Sequence, residues 1–432
     1  MQTPVATKRA FIGPIVKVLQ GVVSAQAIAF LALPILTRQF APEAFGHFQI
    51  FQSVGAFILV FSSMRYEVAL LRAESDEEFA AVARLCLYLC VGASAATGVI
   101  CLLISQLLPI PPEIRELLWT FPVFALVGGG LQALGYVVQR QGAFGIGAVA
   151  KIAQSSAYVG TGTLIGSIAP FNLGLVFADL VGRAASILVF ARGRASMGIV
   201  FNRRPLRVPI KEVAARYKEY PRIVVPGGVL NTLGGLVTSA MLYGLFSTSI
   251  SGQYGLVERA ILLPLGMVAG AIGQVYTANL SHAIRTSSPS IRTEYRKLLV
   301  RLFAIGIGPT VVAALVIPQA FDQLFGSDWK TAGELAQVMC PLFLVSFVTA
   351  PVHMVLTLLG HQFTQIAWDL GRLVLLTCAW TLVARWQTDP QTALAIHTCA
   401  AVISMLAYLA LSDFAITRYL AGRLSANVQR TN

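Results

Sequence analysis

The sequence predicts an all-α polytopic membrane protein with about twelve transmembrane helices arranged as two six-helix bundles. Of its 432 residues, 56% are hydrophobic and 12% are charged, which is about half the charge of a typical soluble domain. Apolar runs of about 20 residues, long enough to cross a hydrocarbon core of roughly 30 Å, recur along the chain. Lys and Arg gather in alternate links between these runs, as they do in membrane proteins of fixed orientation.

The apolar runs follow one another with short links, which leave no room for a soluble domain. We expect spans near residues 12–36, 45–70, 80–107, 117–139, 144–168, 172–191, 223–246, 253–280, 298–319, 335–359, 364–384 and 393–417. The first run follows Lys8 and Arg9 and has no small-residue cleavage site. It is also too long for the apolar region of a signal peptide, so we interpret it as the first span.

The orientation of the spans follows from the distribution of Lys and Arg. With the N-terminus inside, cytoplasmic segments hold 22 of these residues and the outside loops hold only 4. Cytoplasmic loops of membrane proteins carry the excess of positive charge. The sequence therefore predicts a multi-pass protein of the bacterial inner membrane with both termini in the cytoplasm.

The longest polar link separates the two sets of six spans. It gives three predicted regions: an N-terminal bundle at 1–191, a basic cytoplasmic linker at 192–222 and a C-terminal bundle at 223–432. The linker carries the basic amphipathic stretch RRPLRVPIKEVAARYKEYPR. This pattern is typical of a segment lying on anionic lipid, and the other interpretation is a docking surface for cytoplasmic partners.

Motifs for chemistry on covalent bonds are absent from the sequence. It contains no GxxxxGK[ST] phosphate loop, no HExxH and no GxSxG. The six cysteines lie in or beside apolar runs without nearby histidines, so we expect neither a metal site nor a disulfide framework. The net charge is +13, but the basic residues are not interleaved with aromatic residues as they are on a nucleic-acid-binding surface. We expect a protein that is not an enzyme, uses no cofactor and does not bind nucleic acid.

Charged residues inside the apolar runs are the candidate functional residues. A charge near the bilayer centre costs at least about 2.5–3.5 kcal/mol, so such residues usually face a cavity or a partner. The basic ones are Lys17, Arg65, Lys151, Arg183, Arg259 and Arg372, and the acids are Glu67, Asp179, Glu258, Asp369 and Asp413. Two acid–base sets, Asp179/Arg183 and Asp369/Arg372, have helical spacing, which fits either ion pairs that lock the bundle or residues that line a cavity.

Lys151 and Lys17 have no acid nearby in the sequence. Lys151 lies about two turns into the fifth span and Lys17 about one turn into the first, where it could also snorkel to the interface. Unpaired cations suit a water-filled cavity that receives an anion such as phosphate. The adjacent Glu258 and Arg259 point apart, so one of them can face the interior. We therefore predict an anionic substrate, bound by the six basic residues.

Two stretches resemble the oligosaccharide flippases of bacterial polysaccharide export. They are LPILTRQFAPEAFGHFQIFQSVGAF (Leu33 to Phe57), followed by RYEVALL (Arg65 to Leu71), and SGQYGLVERAILLPLGMVAGAIGQVYTANL (Ser251 to Leu280). These flippases belong to the MOP superfamily, together with MATE multidrug exporters and lipid II flippases. The resemblance extends to chain length, span number and orientation, although lipid II flippases typically have fourteen spans.

The resemblance implies a MATE-like, V-shaped pair of six-helix bundles around a cavity with alternating access. It implies transfer of an undecaprenyl-diphosphate-linked oligosaccharide from the inner to the outer leaflet, for O-antigen, capsule or exopolysaccharide synthesis. Membrane lipid, a polysaccharide polymerase and a chain-length regulator are the other implied partners. Coupling to an ion gradient is common among such exporters, and Glu258, Asp179 and Asp369 are the candidate carriers here.

Two other functions remain open from the sequence. A MATE-like ion-coupled multidrug antiporter would share the fold, but a cationic drug favours unpaired acids, whereas the unpaired candidates here are lysines. A membrane glycan polymerase or ligase would generally carry a large outside loop with catalytic Arg and His. The outside links of this chain are short, which argues against such an enzyme.

Overall fold

The computed structural model describes the backbone of residues 4–192, 208–286, 288 and 290–431, with side chains for residue 21 and for 23–422 within those ranges. The described part contains helices and no strand. The helices are α1 Pro4–Gln39, α2 Pro42–Ser62, α3 Asp76–Leu107, α4 Pro112–Leu118, α5 Thr120–Arg140, α6 Phe144–Ile168, α7 Gly174–Arg192, α8 Ile210–Arg216, α9 Val225–Leu245, α10 Thr248–Val257, α11 Leu263–Arg285, α12 Ile291–Phe325, α13 Lys330–Val338, α14 Cys340–Thr349, α15 Val355–Leu358, α16 Gln362–Trp386 and α17 Pro390–Thr431.

Local sequence signals account for several helix ends. Ser75 caps α3 by accepting a hydrogen bond from the Glu78 backbone N–H, which satisfies one of the free donors of the first turn. Pro42 occupies the first turn of α2, where a missing N–H costs nothing. Gly326, at φ +106°, follows the last residue of α12, and this left-handed backbone favours glycine.

Ten helical segments of the described residues are long and apolar enough to cross a membrane. The sequence predicts about twelve, and the two further predicted spans, 12–36 and 144–168, form α1 and α6. Lys151, Gln154, Ser155 and Ser156 lower the mean hydropathy of α6. The prediction of an all-α membrane protein is confirmed, and the chain is a multi-pass membrane protein.

Contacts divide the chain into two compact units, Met1–Ser239 and Ala240–Asn432. The boundary falls inside α9. In the first unit, α6 packs between α1 and α7, while α5 contacts α2, α3 and α7. Aromatic side chains fill the space between α2 and α5: the Phe51 ring meets the Phe124 ring edge-on at 4.9 Å and the Phe121 ring at 5.7 Å.

The second unit is built around α12, α14 and α17, which pack against one another, with α13 and α16 on their flanks. Here the helices are interrupted more often than in the first unit. A π-helical turn, Glu258–Leu262, joins α10 to α11, and a 3-10 turn, Ala350–Val352, separates α14 from α15. Pro264 and Pro351 lie at these two breaks, where each removes a backbone hydrogen bond from the helical ladder.

Candidate functional site

A cavity of about 470 Å³ lies within the first unit, among α2, α5, α6 and α7. Its described lining contains two cations, several neutral polar side chains and no carboxylate. The polar and charged members are Gln132, Tyr136, Gln139, Lys151, Gln154, Arg183 and Ser186. An apolar surround of Leu59, Leu131, Phe144 and Phe190 completes the wall. Such a mixture of apolar walls and convergent polar groups is typical of a small-molecule site.

Close packing of α6 against α7 sets the position of Lys151. A Cβ added at Gly182 on α7 would lie 2.7 Å from the Gln154 carbonyl oxygen, so only glycine permits this approach. Lys151 lies one turn before Gln154 on α6, and both side chains line the cavity. In the part of the chain that the structure describes, no carboxylate forms an ion pair with Lys151. The charged group that interacts with Lys151 electrostatically is Arg183, which has the same sign.

Arg183, the second cation of the cavity, is neutralised by its own helix. Its Nε donates to Asp179 Oδ2 at 2.6 Å, as the four-residue spacing predicts. The guanidinium lies over the Phe124 ring, 4.5 Å from the centroid, and its Nη2 reaches Gln52 Oε1 at 3.4 Å. The cavity therefore carries one uncompensated positive charge, on Lys151, beside an ion pair.

The neutral polar lining was not singled out from the sequence. Gln132, Gln139 and Gln154 lie within apolar runs, and a glutamine there needs a hydrogen-bonding environment just as a charge does. Gln132 donates to Glu67 Oε1 at 2.7 Å, while the Oε1 atom of Gln154 is buried without a partner. Glutamines in the predicted spans were therefore an available signal for this cavity.

Arg65 and Glu67 form a buried network at the end of α2, outside the described lining of the cavity. Arg65 Nη1 lies 3.8 Å from Glu67 Oε1, and the Glu67 side chain is fully buried. Glu67 also accepts hydrogen bonds from Ser63 and Gln132. Met64 and Arg65 both have positive φ, at 51° and 63°, which is uncommon for residues other than glycine.

Arg259 and Arg372 are not part of the described lining of this cavity. The Lys17 side chain lies outside the described residues, although its backbone belongs to α1. Arg259, in the second unit, donates from Nη1 to the Gly255 carbonyl oxygen at 2.7 Å. Its neighbour Glu258 accepts from the Tyr254 hydroxyl at 3.1 Å.

Arg372 and Asp369 lie together on α16 but form no ion pair within 4.0 Å among the described residues. Arg372 instead lies over Trp368, 5.2 Å from the ring centroid, and its Nε is buried without a partner. Asp369 accepts from Gln365 Nε2 at 3.3 Å. The two charges still interact electrostatically, so helical spacing alone did not decide between pairing and separation.

The second half of the predicted linker docks on the first unit, while residues 193–207 lie outside the described part of the chain. Arg216 Nη1 donates to Glu78 Oε1 at 2.7 Å, and the Tyr217 hydroxyl donates to the same atom at 3.2 Å. Burial, together with the Glu78 carboxylate, raises the pKa of Tyr217. Val213 is buried in this contact. The described part of the linker thus packs against the first unit.

No group of three or more His, Cys, Asp or Glu side chains could hold a metal ion in the part of the chain that the structure describes. All six cysteines are free.

Comparison with solved structures identifies the fold. The chain is similar to the lipid II flippase MurJ in an inward closed conformation (TM-score 0.67, 14% identity, 98% of this chain and 93% of that chain). It is also similar to an inward-facing multidrug resistance MATE family transporter of the MOP superfamily (TM-score 0.62, 15% identity, 91% of this chain and 95% of that chain). A MATE transporter from Vibrio cholerae matches at 0.53, with 12% identity over 94% of this chain and 96% of that chain.

No protein-family model and no curated protein sequence matches the chain. In each comparison the structural likeness covers nearly the whole length of both chains. The sequence identities are low, so the likeness supports a shared fold and nothing more. The chain has the all-helical fold of MATE transporters and of the lipid II flippase MurJ.

Proposed function

We propose that the chain is a flippase for a lipid-linked oligosaccharide. In this proposal it moves an undecaprenyl-diphosphate-linked oligosaccharide from the cytoplasmic to the outer leaflet of the bacterial inner membrane, by alternating access. The product serves the synthesis of a surface polysaccharide. Both termini face the cytoplasm, as the distribution of Lys and Arg predicts.

The observation that carries this proposal is the positive charge of the cavity in the first unit. Its described lining offers Lys151, without a carboxylate partner, and Arg183, but no acid. An anion that enters the cavity can exchange its hydration water for hydrogen bonds from the Lys151 Nζ and the Arg183 guanidinium. Hydrogen bonds from such cationic donors are stronger to a charged acceptor than to a neutral one. A diphosphate or an acidic sugar has this chemistry, and glutamine and serine side chains can bind sugar hydroxyls.

The size of the cavity limits what it can hold. Its volume of about 470 Å³ falls in the range of roughly 300–1,000 Å³ for small-molecule sites. It fits the diphosphate with the first sugars, and the polyprenyl tail stays in lipid. Lys17, Arg65, Arg259 and Arg372 remain proposed contacts for other parts of the substrate path. Asp179, Glu258 and Asp369 remain proposed carriers of a coupling ion.

The second candidate function is a MATE-like ion-coupled multidrug antiporter, which MATE neighbours of the same fold support equally well. The charges of the cavity support the flippase rather than the antiporter. A cationic drug would require a free carboxylate, and Asp179, the acid beside the cavity, is bound to Arg183 at 2.6 Å. An anionic substrate requires no such rearrangement.

Genetic complementation tests the proposal. A bacterial strain that lacks its polysaccharide flippase would express the wild-type chain, Lys151→Ala, Arg259→Ala or Lys330→Ala, the last being a control at an exposed residue of α13. Surface glycan should return with the wild type and the control, and should fall at least about tenfold with Lys151→Ala. A chain that restores no glycan with any tested repeat unit but confers drug resistance is an antiporter. Full activity of both alanine variants at Lys151 and Arg259 would refute the cavity assignment.

A further inference from the structure

A second cavity, of about 390 Å³, lies in the second unit between α11 and α12. Arg285 ends α11 and Ser290 precedes α12, and the distribution of Lys and Arg predicts that this link faces the cytoplasm. The wall of the cavity is mostly apolar, and its polar members are Tyr276, Asn279, Ser290, Glu294 and Arg301. The cavity therefore lies where the two helices meet the predicted cytoplasmic surface of the membrane.

The walls of this cavity belong to helix surfaces that suit hydrocarbon. Only 6% of the most apolar stretch of α12 is buried, the smallest share among the ten membrane-crossing segments of the described residues. The exposed side chains of this helix include Val300, Phe303, Ile305, Val311 and Leu315. An apolar surface of this extent marks a membrane contact. On α11, Val275 lines the cavity and is 63% exposed, so acyl chains of the bilayer can reach the cavity.

Arg301 is the cation of the described lining, and it lies among these apolar neighbours. Its side chain is exposed, and it belongs to the apolar stretch predicted at 298–319. Within the described residues, no carboxylate lies within 4.0 Å of its guanidinium, whereas Arg292 and Arg296 on the same helix both bind Asp413. A charge that faces hydrocarbon is costly without a partner. An anion supplied by the membrane would provide one.

The other polar groups of the lining leave the cavity with donors and a positive charge. The Tyr276 hydroxyl is buried without a partner in the described structure, and such groups are uncommon unless a ligand or water satisfies them. The Asn279 amide also lines the cavity. Glu294, the acid of the described lining, lies 3.9 Å from Lys297 Nζ. Its charge is therefore balanced by its own helix, and the charge of Arg301 is not.

We propose that this cavity binds one anionic phospholipid of the cytoplasmic leaflet. The phosphate lies on the Arg301 guanidinium, whose planar fork matches phosphate oxygens, and the Tyr276 hydroxyl donates to the phosphate or to an ester oxygen. An acyl chain follows the apolar wall. Basic pockets between membrane helices on the cytoplasmic side bind acidic headgroups in this way. A zwitterionic headgroup would bring its own cation beside Arg301, and the carboxylate that could receive that cation, Glu294, already faces Lys297.

Native mass spectrometry of the full chain, released from detergent with added dioleoylphosphatidylglycerol, tests the site. The chain should bind one phosphatidylglycerol at least about fivefold more tightly than dioleoylphosphatidylcholine. Arg301→Gln should weaken phosphatidylglycerol binding about tenfold. The matched control is Arg385→Gln, at an exposed arginine near the end of α16, which should bind as the wild type does. Equal affinity for the two lipids, or an Arg301→Gln variant that binds phosphatidylglycerol as the wild type does, overturns the proposal.

A second pair of variants tests the cavity without changing any charge. Val275→Trp fills the cavity and should weaken phosphatidylglycerol binding several-fold, whereas Val268→Trp, at an exposed residue of α11 outside the described lining, should not. Arg301 and Val275 are both exposed, so these substitutions should leave the fold intact. Binding that ignores Val275→Trp would show a lipid held by surface charge alone and would contradict the proposal.

Inorganic phosphate at millimolar concentration distinguishes a lipid from a free anion. It offers the same oxygens without acyl chains, so it should not displace phosphatidylglycerol from the wild type, and displacement would overturn the lipid assignment. These measurements need no transported substrate. Their outcome is therefore independent of whether the chain is a flippase or an antiporter.

Discussion

Replacement of Glu67 by alanine should destabilise the first unit more than any surface substitution. The Glu67 carboxylate is fully buried, lies 3.8 Å from Arg65 Nη1, and accepts hydrogen bonds from Ser63 and from Gln132 at 2.7 Å. Removal of one partner from a buried charge pair costs about 3–5 kcal/mol, because the other charge is left uncompensated. The Arg65 side chain is only 24% exposed, so water can compensate little of this loss.

The expected change can be converted into a melting temperature. A loss of 1 kcal/mol lowers Tm by roughly 2–4 °C for a unit of 150–250 residues, so Glu67→Ala should lower it by about 6–20 °C. Glu67→Gln keeps the shape and one acceptor, and should cost about 1–3 kcal/mol. The double variant Arg65→Met/Glu67→Met removes both charges and should be more stable than Glu67→Ala alone.

A thiol-reactive fluorescent dye in detergent measures this unfolding. Cys86 and Cys90 on α3 are fully buried and interact electrostatically with Glu67, so they report the local loss of packing. The exposed Cys378 and Cys399 would be changed to serine in every variant to remove the background reaction. A Glu67→Ala midpoint within about 2 °C of the parent, or a double variant less stable than Glu67→Ala, would refute the reasoning.

Two further predictions concern helix packing and the docked linker. Gly182→Ala should destabilise the chain by about 1–3 kcal/mol, because the new Cβ would lie 2.7 Å from the Gln154 carbonyl oxygen. The control in the same thermal assay is Gly160→Ala, where no atom lies within 4 Å of the added Cβ. Equal unfolding midpoints for the two variants would contradict the packing argument. Arg216→Ala should weaken the docking of α8 by about 1 kcal/mol, since Arg216 is half exposed but Glu78 is buried. Hydrogen exchange over α8 should then be about fivefold faster, and an unchanged rate would show that the ion pair does not hold the segment.

The helices could be placed from the sequence because hydropathy and helix length are local properties. Each predicted span corresponds to one helix or to two or three consecutive helices, as at α4–α5 and at α13–α15. The interruptions inside them could not be located in the same way. Pro351 marks a break and Pro309 lies within the continuous helix α12, so proline indicates a weak point without deciding whether the helix opens there.

The positive charge of the cavity could be anticipated, but its partners could not. Lys151 is unusual in an apolar run, and the absence of an acidic residue near it in the sequence predicts a cavity. In contrast, Asp413 binds Arg292 and Arg296 at 2.8 and 2.9 Å across more than one hundred residues, which no local pattern indicates. The Asp369/Arg372 spacing permits an ion pair, yet Trp368 on the same helix holds the guanidinium instead. Tertiary packing decides such competitions.

The central claim, that Lys151 receives an anionic substrate, is tested most directly by flipping of a fluorescent undecaprenyl-diphosphate glycolipid in proteoliposomes. Wild-type and Lys151→Arg chains, which keep the positive charge in the cavity, should flip the lipid at similar rates. Lys151→Met should be at least about tenfold slower, and Lys151→Glu, which replaces a cation of the cavity lining by a carboxylate, should reach only the rate of empty vesicles. A Lys151→Glu chain that flips the lipid at the wild-type rate would contradict the account.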